Sequence, residues 1–322
     1  MELTSEFEQH RPYLMAVAYR MLGSRTEAED VVQEAWLRYQ AADRDGIQEL
    51  RGWLTTVTGR LCLDTLRSAR VRREAYVGPW LPEPIVSRLP TGPEQGEAVD
   101  PADRAVRRDE VSYALLVVME RLTPEQRVAF VLHDVFAVPF PEIASLLGST
   151  DVAVRQLASR ARRVVAAEDG SARHRPDPAE QRRVVDAFVR AVEAGDLDAL
   201  LGVLAPTVTA TGDGGGVVNA GRRSIVGAEK VARFLLGILR RAVDESGTLL
   251  VEPILVNGDL GLLVDLTRPQ GPALRFSMAF AFDESGRIAH IYDQLNPAKL
   301  TGLPPRLTPG LPAQLSSAEQ PR

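Results

Sequence analysis

The sequence predicts a multidomain chain in which two all-α units precede an α+β unit built on a curved antiparallel sheet. Three observations carry that expectation. Apolar residues recur at helical spacing from Leu14 to about Ala167. Two segments of linker composition, Gly78–Pro101 and Gly170–Pro178, divide the chain. Beyond Thr248 the pattern changes to short apolar runs bounded by turn residues. A length of 322 residues with 45% hydrophobic side chains supplies ample material for two cores.

Leu14, Val17, Ala18, Met21 and Leu22 mark a first helix that ends at Gly23. Ser24 or Thr26 can cap a second helix, whose first turn holds Glu27, Glu29 and Asp30 where the helix dipole favours negative charge. Val31, Val32, Ala35 and Trp36 share one of its sides. The polar break Asp43–Gly46 leads to a third, long helix from about Leu50 to Arg70. After the proline-rich segment, helical spacing returns over Val106–Arg121 and runs through three shorter helices to Ala167. The last unit opens with a helix over Gln181–Ala194 that stops at Gly195, then a short strand and a helix over Ala228–Arg241. Strands are expected at Leu249–Val256, Gly261–Leu266, Leu274–Phe282 and Arg287–Leu295, separated by turn residues such as Asn257-Gly258-Asp259. Domains are therefore expected at 1–75, 106–168 and 179–302, with 76–105 and 169–178 as linkers and 303–322 as a disordered tail.

A single cysteine excludes a disulfide framework and any multi-cysteine metal site, as suits a reducing cytoplasm. The polar start of the chain lacks the apolar stretch of a signal peptide, and no apolar run approaches the ~20 residues that span a bilayer. No cofactor, no metal and no membrane partner are expected. A net charge of −5 argues, at face value, against nucleic acid. Its distribution is uneven. Arg60, Arg67, Arg70, Arg72 and Arg73 crowd the end of the third helix, and Arg155, Arg160, Arg162 and Arg163 share one helix. The acids gather at Glu27–Glu34 and in the first linker.

Phe140 to Arg160 has the build of a helix-turn-helix. Pro141 suits a helix start, Ala144 a close crossing, Gly148 a turn with positive φ, and Ser149 or Thr150 a cap. On the second helix Val154, Leu157, Ala158, Ala161 and Val165 form the inward face. Thr150, Asp151, Arg155, Gln156, Ser159, Arg160, Arg162 and Arg163 are left for DNA: Arg and Gln suit base edges, Ser and flanking Arg suit phosphates.

This segment, with Leu122–Leu132 before it, resembles region four of bacterial sigma factors of the extracytoplasmic-function group. Ala28–Arg38 is similar to their region two, which binds the polymerase clamp helices, and Gly52–Arg67 resembles the helix that recognises and melts the minus-ten element. The resemblance implies two all-α sigma domains, with core RNA polymerase and promoter DNA as partners; no separate anti-sigma factor is implied by the sequence. It assigns core binding to Asp30, Val31, Val32, Gln33 and Glu34, and minus-ten contacts to Arg60, Asp64, Arg67, Arg70 and Arg72. Gly59-Arg60 departs from the Arg-Asn usual in the group.

The last third resembles the SnoaL-like cone, and a sigma factor fused to one looks like the SigJ-like subgroup. Trp80-Leu81-Pro82-Glu83-Pro84, Asp213-Gly214-Gly215-Gly216 and Asn296-Pro297-Ala298-Lys299-Leu300 support this. Trp80–Pro84, Asp213–Gly216, Asn296, Pro297, Lys299 and Leu300 become candidate regulatory contacts. The stiff Trp80–Pro84 segment has an aromatic anchor suited to a groove. In the cone, Asp265, Asp293, His290 and Tyr292 are the groups an isomerase could use, but His290 and Tyr292 share one strand face while Asp293 takes the other. The expected function is an alternative sigma factor, not an enzyme, regulated in cis by its last domain. The alternatives are a one-component DNA-binding regulator with a ligand-sensing cone and a fused SnoaL-like cyclase or isomerase.

Overall fold

A computed structural model describes residues 2–74, 76–89, 111–167, 176–244, 247–267 and 273–304, with the backbone alone for residues 2, 70–74 and 242–244. The tail expected beyond Pro304 and most of the two linkers lie outside these residues. The first unit is a three-helix bundle of α1 (Glu2–Leu22), α2 (Arg25–Ala41) and α3 (Leu50–Glu74). Ser24 is the cap of α2: it takes an extended conformation and its hydroxyl accepts the Glu27 N–H. Phe7, Leu14, Val17 and Met21 of α1 meet Val32 and Tyr39 of α2 and Leu54 of α3 in a buried core.

The second unit runs through α4 (Tyr113–Met119), α5 (Pro124–Phe130), α6 (Phe140–Leu147) and α7 (Asp151–Ala167). Thr123 and Gln126 close a reciprocal capping box on α5, with Pro124 where a missing N–H costs nothing. A π-turn over Val131–Val135 continues α5 and tips the chain toward α6.

The two helical units share one core. Cys62, Leu63 and Leu66 of α3 belong to the same buried cluster as Leu132, Ile143, Leu146 and Ala158. Gly59 lies where α3 meets α6, and a Cβ there would run into Leu146 Cδ1. A glycine inside a helix costs up to ~1 kcal/mol against alanine. Here that cost permits the close approach of two domains, which accounts for the departure at Gly59-Arg60.

The third unit comprises α8 (Pro178–Ala194), α9 (Leu197–Val203), α10 (Ala228–Asp244) and strands β2 (Leu204–Asp213), β3 (Ile225–Val226), β4 (Thr248–Val256), β5 (Asp259–Thr267), β6 (Leu274–Phe282) and β7 (Ile288–Gln294). Helix α9 and the length of β2 were not anticipated. The sheet has seven strands because Val86–Arg88, inside the segment read as a linker, adds a strand β1; the order is β1-β4-β5-β6-β7-β2-β3. The expected antiparallel sheet is mixed. β2 runs parallel to β7, from Thr209 opposite His290 to Asp213 opposite Gln294. That pairing needs a long crossover, which the whole β3–β6 stretch supplies.

Both faces of the sheet are covered. Leu260, Leu262, Val264, Met278 and Phe280 pack inward with Val185 and Phe188 of α8 and Val231 of α10. Leu263, Ala279, Ala281 and Tyr292 pack outward against Leu81, Tyr113 and Ala114. Two covered faces explain why β5 reads as an unbroken apolar run rather than an alternating one. The strand faces also place the cone directly against α4 and the linker.

Replacing Gly59 with Leu should force α3 from α6 without unfolding either unit. The expected result is faster amide hydrogen exchange along α6 and the facing side of α3 with helical circular dichroism retained. Unchanged exchange would show that this contact does not hold the units together.

Candidate functional site

In the helix-turn-helix, Gly148 ends α6 in the left-handed region, φ 60°, and the Ser149 N–H bonds the Ala144 carbonyl. Thr150 caps α7: its Oγ1 accepts the Ala153 N–H at 3.3 Å. Val154, Ala158, Ala161 and Val165 are buried, with Leu157 partly so. Arg155, Gln156, Ser159, Arg160 and Arg163 stand exposed, and Asp151 is half-buried in the first turn. The Arg155 guanidinium stacks 4.8 Å above the Phe140 ring, which braces it for presentation outward. Arg162 is not part of that free face. Its Nε donates to Asp134 at 2.6 Å, tying α7 to the π-turn.

On α3, Arg60, Asp64 and Arg67 are exposed, and the two arginines turn toward the second unit. Arg67 forms an ion pair with Glu125 at 2.9 Å, and Arg60 donates to the Ser145 carbonyl at 3.5 Å. The side chains of Arg70 and Arg72 lie outside the described residues. On α2, Asp30 and Gln33 are exposed, and Glu34 pairs with Arg38 at 3.1 Å. Val31 and Val32 are buried in the bundle, so the assignment of these two to a polymerase surface is corrected. A motif spans consecutive residues, whereas a helix turns alternate ones away from any partner. Leu37, one turn on from Gln33 and Glu34, is 54% exposed.

Asp213, at the end of β2 and fully buried, organises the three short motifs. Its carboxylate accepts the Tyr76 hydroxyl at 2.6 Å, the Leu81 N–H at 2.9 Å and the Gly215 N–H at 3.0 Å. Lys299 closes the ring: its Nζ lies 2.7 Å from Asp213, donates to the Leu81 carbonyl at 2.6 Å and sits 3.9 Å above the Trp80 ring. Gln294 donates to the Pro82 carbonyl at 3.1 Å, and Asn296 to the Tyr76 hydroxyl at 2.9 Å. Asn296 also caps the 3₁₀ turn Pro297–Lys299 with its side-chain oxygen. A Cβ on Gly215 would strike the Asn296 side chain. Gly214 is buried, Gly216 and Pro297 are exposed, and Leu300 is half-buried. Burial and the Asp213 carboxylate both push the Tyr76 hydroxyl above its ordinary pKa, so it stays a donor.

The other side of the same segment grips the first unit. The Glu83 carboxylate accepts the Arg25 N–H at 2.8 Å and the Ser24 hydroxyl at 3.1 Å, at the positive end of α2. The Glu83 N–H bonds the Gly23 carbonyl at 2.7 Å, and Tyr19 donates to the Glu83 carbonyl at 2.8 Å. Tyr113 of α4 donates to the Pro82 carbonyl at 2.8 Å. Trp80–Pro84 thus touches all three units. Tyr76, Tyr19 and Gln294 were missed because nothing local in the sequence marks a partner so distant along the chain.

The Sigma-70 region 2 family model matches residues 7–72, and the Sigma-70, region 4 model matches residues 112–164. The chain is 45% identical to the ECF RNA polymerase sigma factor SigJ of Mycobacterium tuberculosis, over 93% of this chain and 94% of that protein. It belongs to the ECF RNA polymerase sigma factors. A second relative from the same organism, the probable ECF sigma factor SigI, is 38% identical over 94% of this chain and 96% of its own length. The crystal structure of Mycobacterium tuberculosis SigJ aligns with a TM-score of 0.73 at 43% identity, covering 94% of this chain and 99% of that one. This is an alternative sigma factor, and it directs transcription initiation.

The cone of this sigma factor encloses a cavity of about 640 Å³, open mouth included, between α8, α10 and the inner sheet face. Asp293 of β7 lines it. Burial raises the Asp293 carboxyl from its ordinary range to about 7. The other candidate groups are engaged elsewhere: Asp265 faces Arg275 at 3.4 Å, and His290 Nδ1 lies 2.6 Å from the Thr209 hydroxyl. His290 stacks on Tyr292 with ring centroids 5.7 Å apart, on the face opposite Asp293. No group of three or more His, Cys, Asp or Glu suited to a metal occurs among the described residues.

Two outcomes follow from these sites. Asp213→Asn removes the carboxylate 2.7 Å from Lys299 and breaks a buried ion pair, at a cost of about 3–5 kcal/mol. The double change Asp213→Asn with Lys299→Met should lose less than the single change, read as linker protection in limited proteolysis at matched concentration. For Asp293, the raised folded-state pKa means that stability is fully present below the unfolded value near 3.8 and is lost as pH rises through about 7. Asp293→Asn should therefore gain on the natural chain by on the order of a few kcal/mol between about pH 4 and pH 8, in urea unfolding. An equal gain at both ends would sink that account.

Proposed function

We propose that this sigma factor rests in a closed form, held by its cone, and opens when it docks on core RNA polymerase. The observation that carries the reading is the double grip on Trp80–Pro84. Asp213, Lys299 and Gln294 bind it to the cone, and Glu83 binds it to α2. With the segment fixed, α3 stays against the second unit and Arg60 and Arg67 face Ser145 and Glu125 rather than DNA.

In this reading residues 1–75 act as region two, 106–168 as region four and 179–302 as the regulatory domain. Asp30, Gln33 and Glu34, with Leu37 among them, dock a basic element of the polymerase. Arg155, Gln156, Ser159, Arg160 and Arg163 enter the major groove at the minus-thirty-five element, and Thr150 and Asp151 fix the start of the recognition helix there. Arg60, Asp64 and Arg67 reach the minus-ten element once α3 is uncovered, with Arg70 and Arg72 following on the same helix. The chain's net charge of −5 limits counterion release, so promoter DNA is bound in company with polymerase.

Run-off transcription with purified core polymerase tests this. The natural chain should initiate at its own promoter, and Arg155→Ala should lose about 1–3 kcal/mol of promoter discrimination. Asp213→Ala should reach half-maximal transcription at a lower sigma concentration, because less free energy opposes opening. A higher requirement with intact folding would show that the clamp assists the open complex. Tight, salt-resistant promoter binding by the chain alone in a gel shift would contradict the dependence on polymerase.

A further inference from the structure

The cavity in the cone plays no part in the closed-state reading, and its walls are unusual. They are made by apolar side chains of α8, α10 and three strands, among them Phe188, Leu235, Val251 and Met278. The polar members are Glu193, exposed on α8, and Asp293 on the sheet. Asp293 Oδ1 is shut off from solvent and meets no hydrogen-bond donor among the described residues. A buried carboxyl in an apolar wall is costly unless a donor reaches it.

Water is a poor answer to that demand. A retained water needs two to four polar partners, and this wall offers one carboxyl away from the exposed Glu193. A molecule that contributes a single donor and covers the rest of the wall with apolar surface answers it better. We propose that the cavity is a binding site for a small, largely apolar molecule carrying one hydrogen-bond donor, which Asp293 accepts. The donor is a hydroxyl or a protonated amine; a carboxylate is disfavoured by the exposed Glu193 at the mouth and, above about pH 7, by the ionised Asp293.

The site adjoins the clamp. Gln294, the next residue on β7, points to the opposite face and donates to the Pro82 carbonyl. Occupancy of the cavity is a property of the cone itself, and its test does not depend on whether the clamp represses or assists transcription.

The test uses the full chain and three probes of one apolar body: adamantanol, adamantylamine and adamantane carboxylate, followed by titration calorimetry. Both donor probes should saturate the natural chain and bind at least about tenfold more tightly than the carboxylate. Asp293→Leu should level that order, with its folding checked by thermal melting. Val251→Trp, which fills the cavity from β4, should abolish binding of both donors. Absence of saturable binding by either donor probe at millimolar concentration would overturn the proposal. So would the same order of affinities in Asp293→Leu, or undiminished binding in Val251→Trp.

Discussion

The buried carboxylate of Asp213 is the constraint from which the arrangement of this sigma factor follows. It lies in the protein interior with no access to water, so its charge must be met by donors that the fold brings to it. Those donors come from three places: Tyr76 and Leu81 in the linker, Gly215 in the adjoining turn and Lys299 at the end of the cone. Each of them that leaves reduces the compensation of that buried charge. A stretch whose prolines suggest a loose tether is therefore held in place from Tyr76 to Pro84.

The second consequence concerns charge. The acidic total of the chain is not spread over the surfaces that read DNA. Exposed arginines remain on α7, where Arg155, Arg160 and Arg163 face outward. On α3, Arg67 is paired with Glu125 and Arg60 donates to a helix carbonyl. Surface pairs of this kind are worth ~0–1 kcal/mol each, so they set orientation more than they supply strength. The strength lies in the shared core, where Leu63 and Leu66 meet Ile143 and Leu146.

Local chemistry was legible in the sequence wherever one residue decides a backbone feature. The Ser24 cap, the Gly148 turn and the periods of β4 to β7 were all readable because each is set by neighbours a few positions away. Strand β1 was not, since three residues in a proline-rich segment hold strand geometry only through Ile254–Val256 of β4. The parallel partnership of β2 and β7 was hidden for the same reason, as was the reach of Glu83 to the start of α2. Val31 and Val32 illustrate the opposite error, in which a motif was read as a continuous surface although helical geometry buries two of its five residues. The three short motifs were visible as motifs; that they meet at one carboxylate was not.

Strand β1 has a further consequence, for the behaviour of the molecule once its linker lets go. Docked, Val86–Arg88 pairs with the end of β4 and covers backbone groups that would otherwise form an open sheet edge. Undocked, that edge is bare next to Ile254 and Val256, whose side chains are buried while the linker is in place. A bare edge beside apolar side chains is a template for pairing with another chain. In the closed form proposed above, the linker would thus also shield the Ile254–Val256 end of that edge from pairing with another chain.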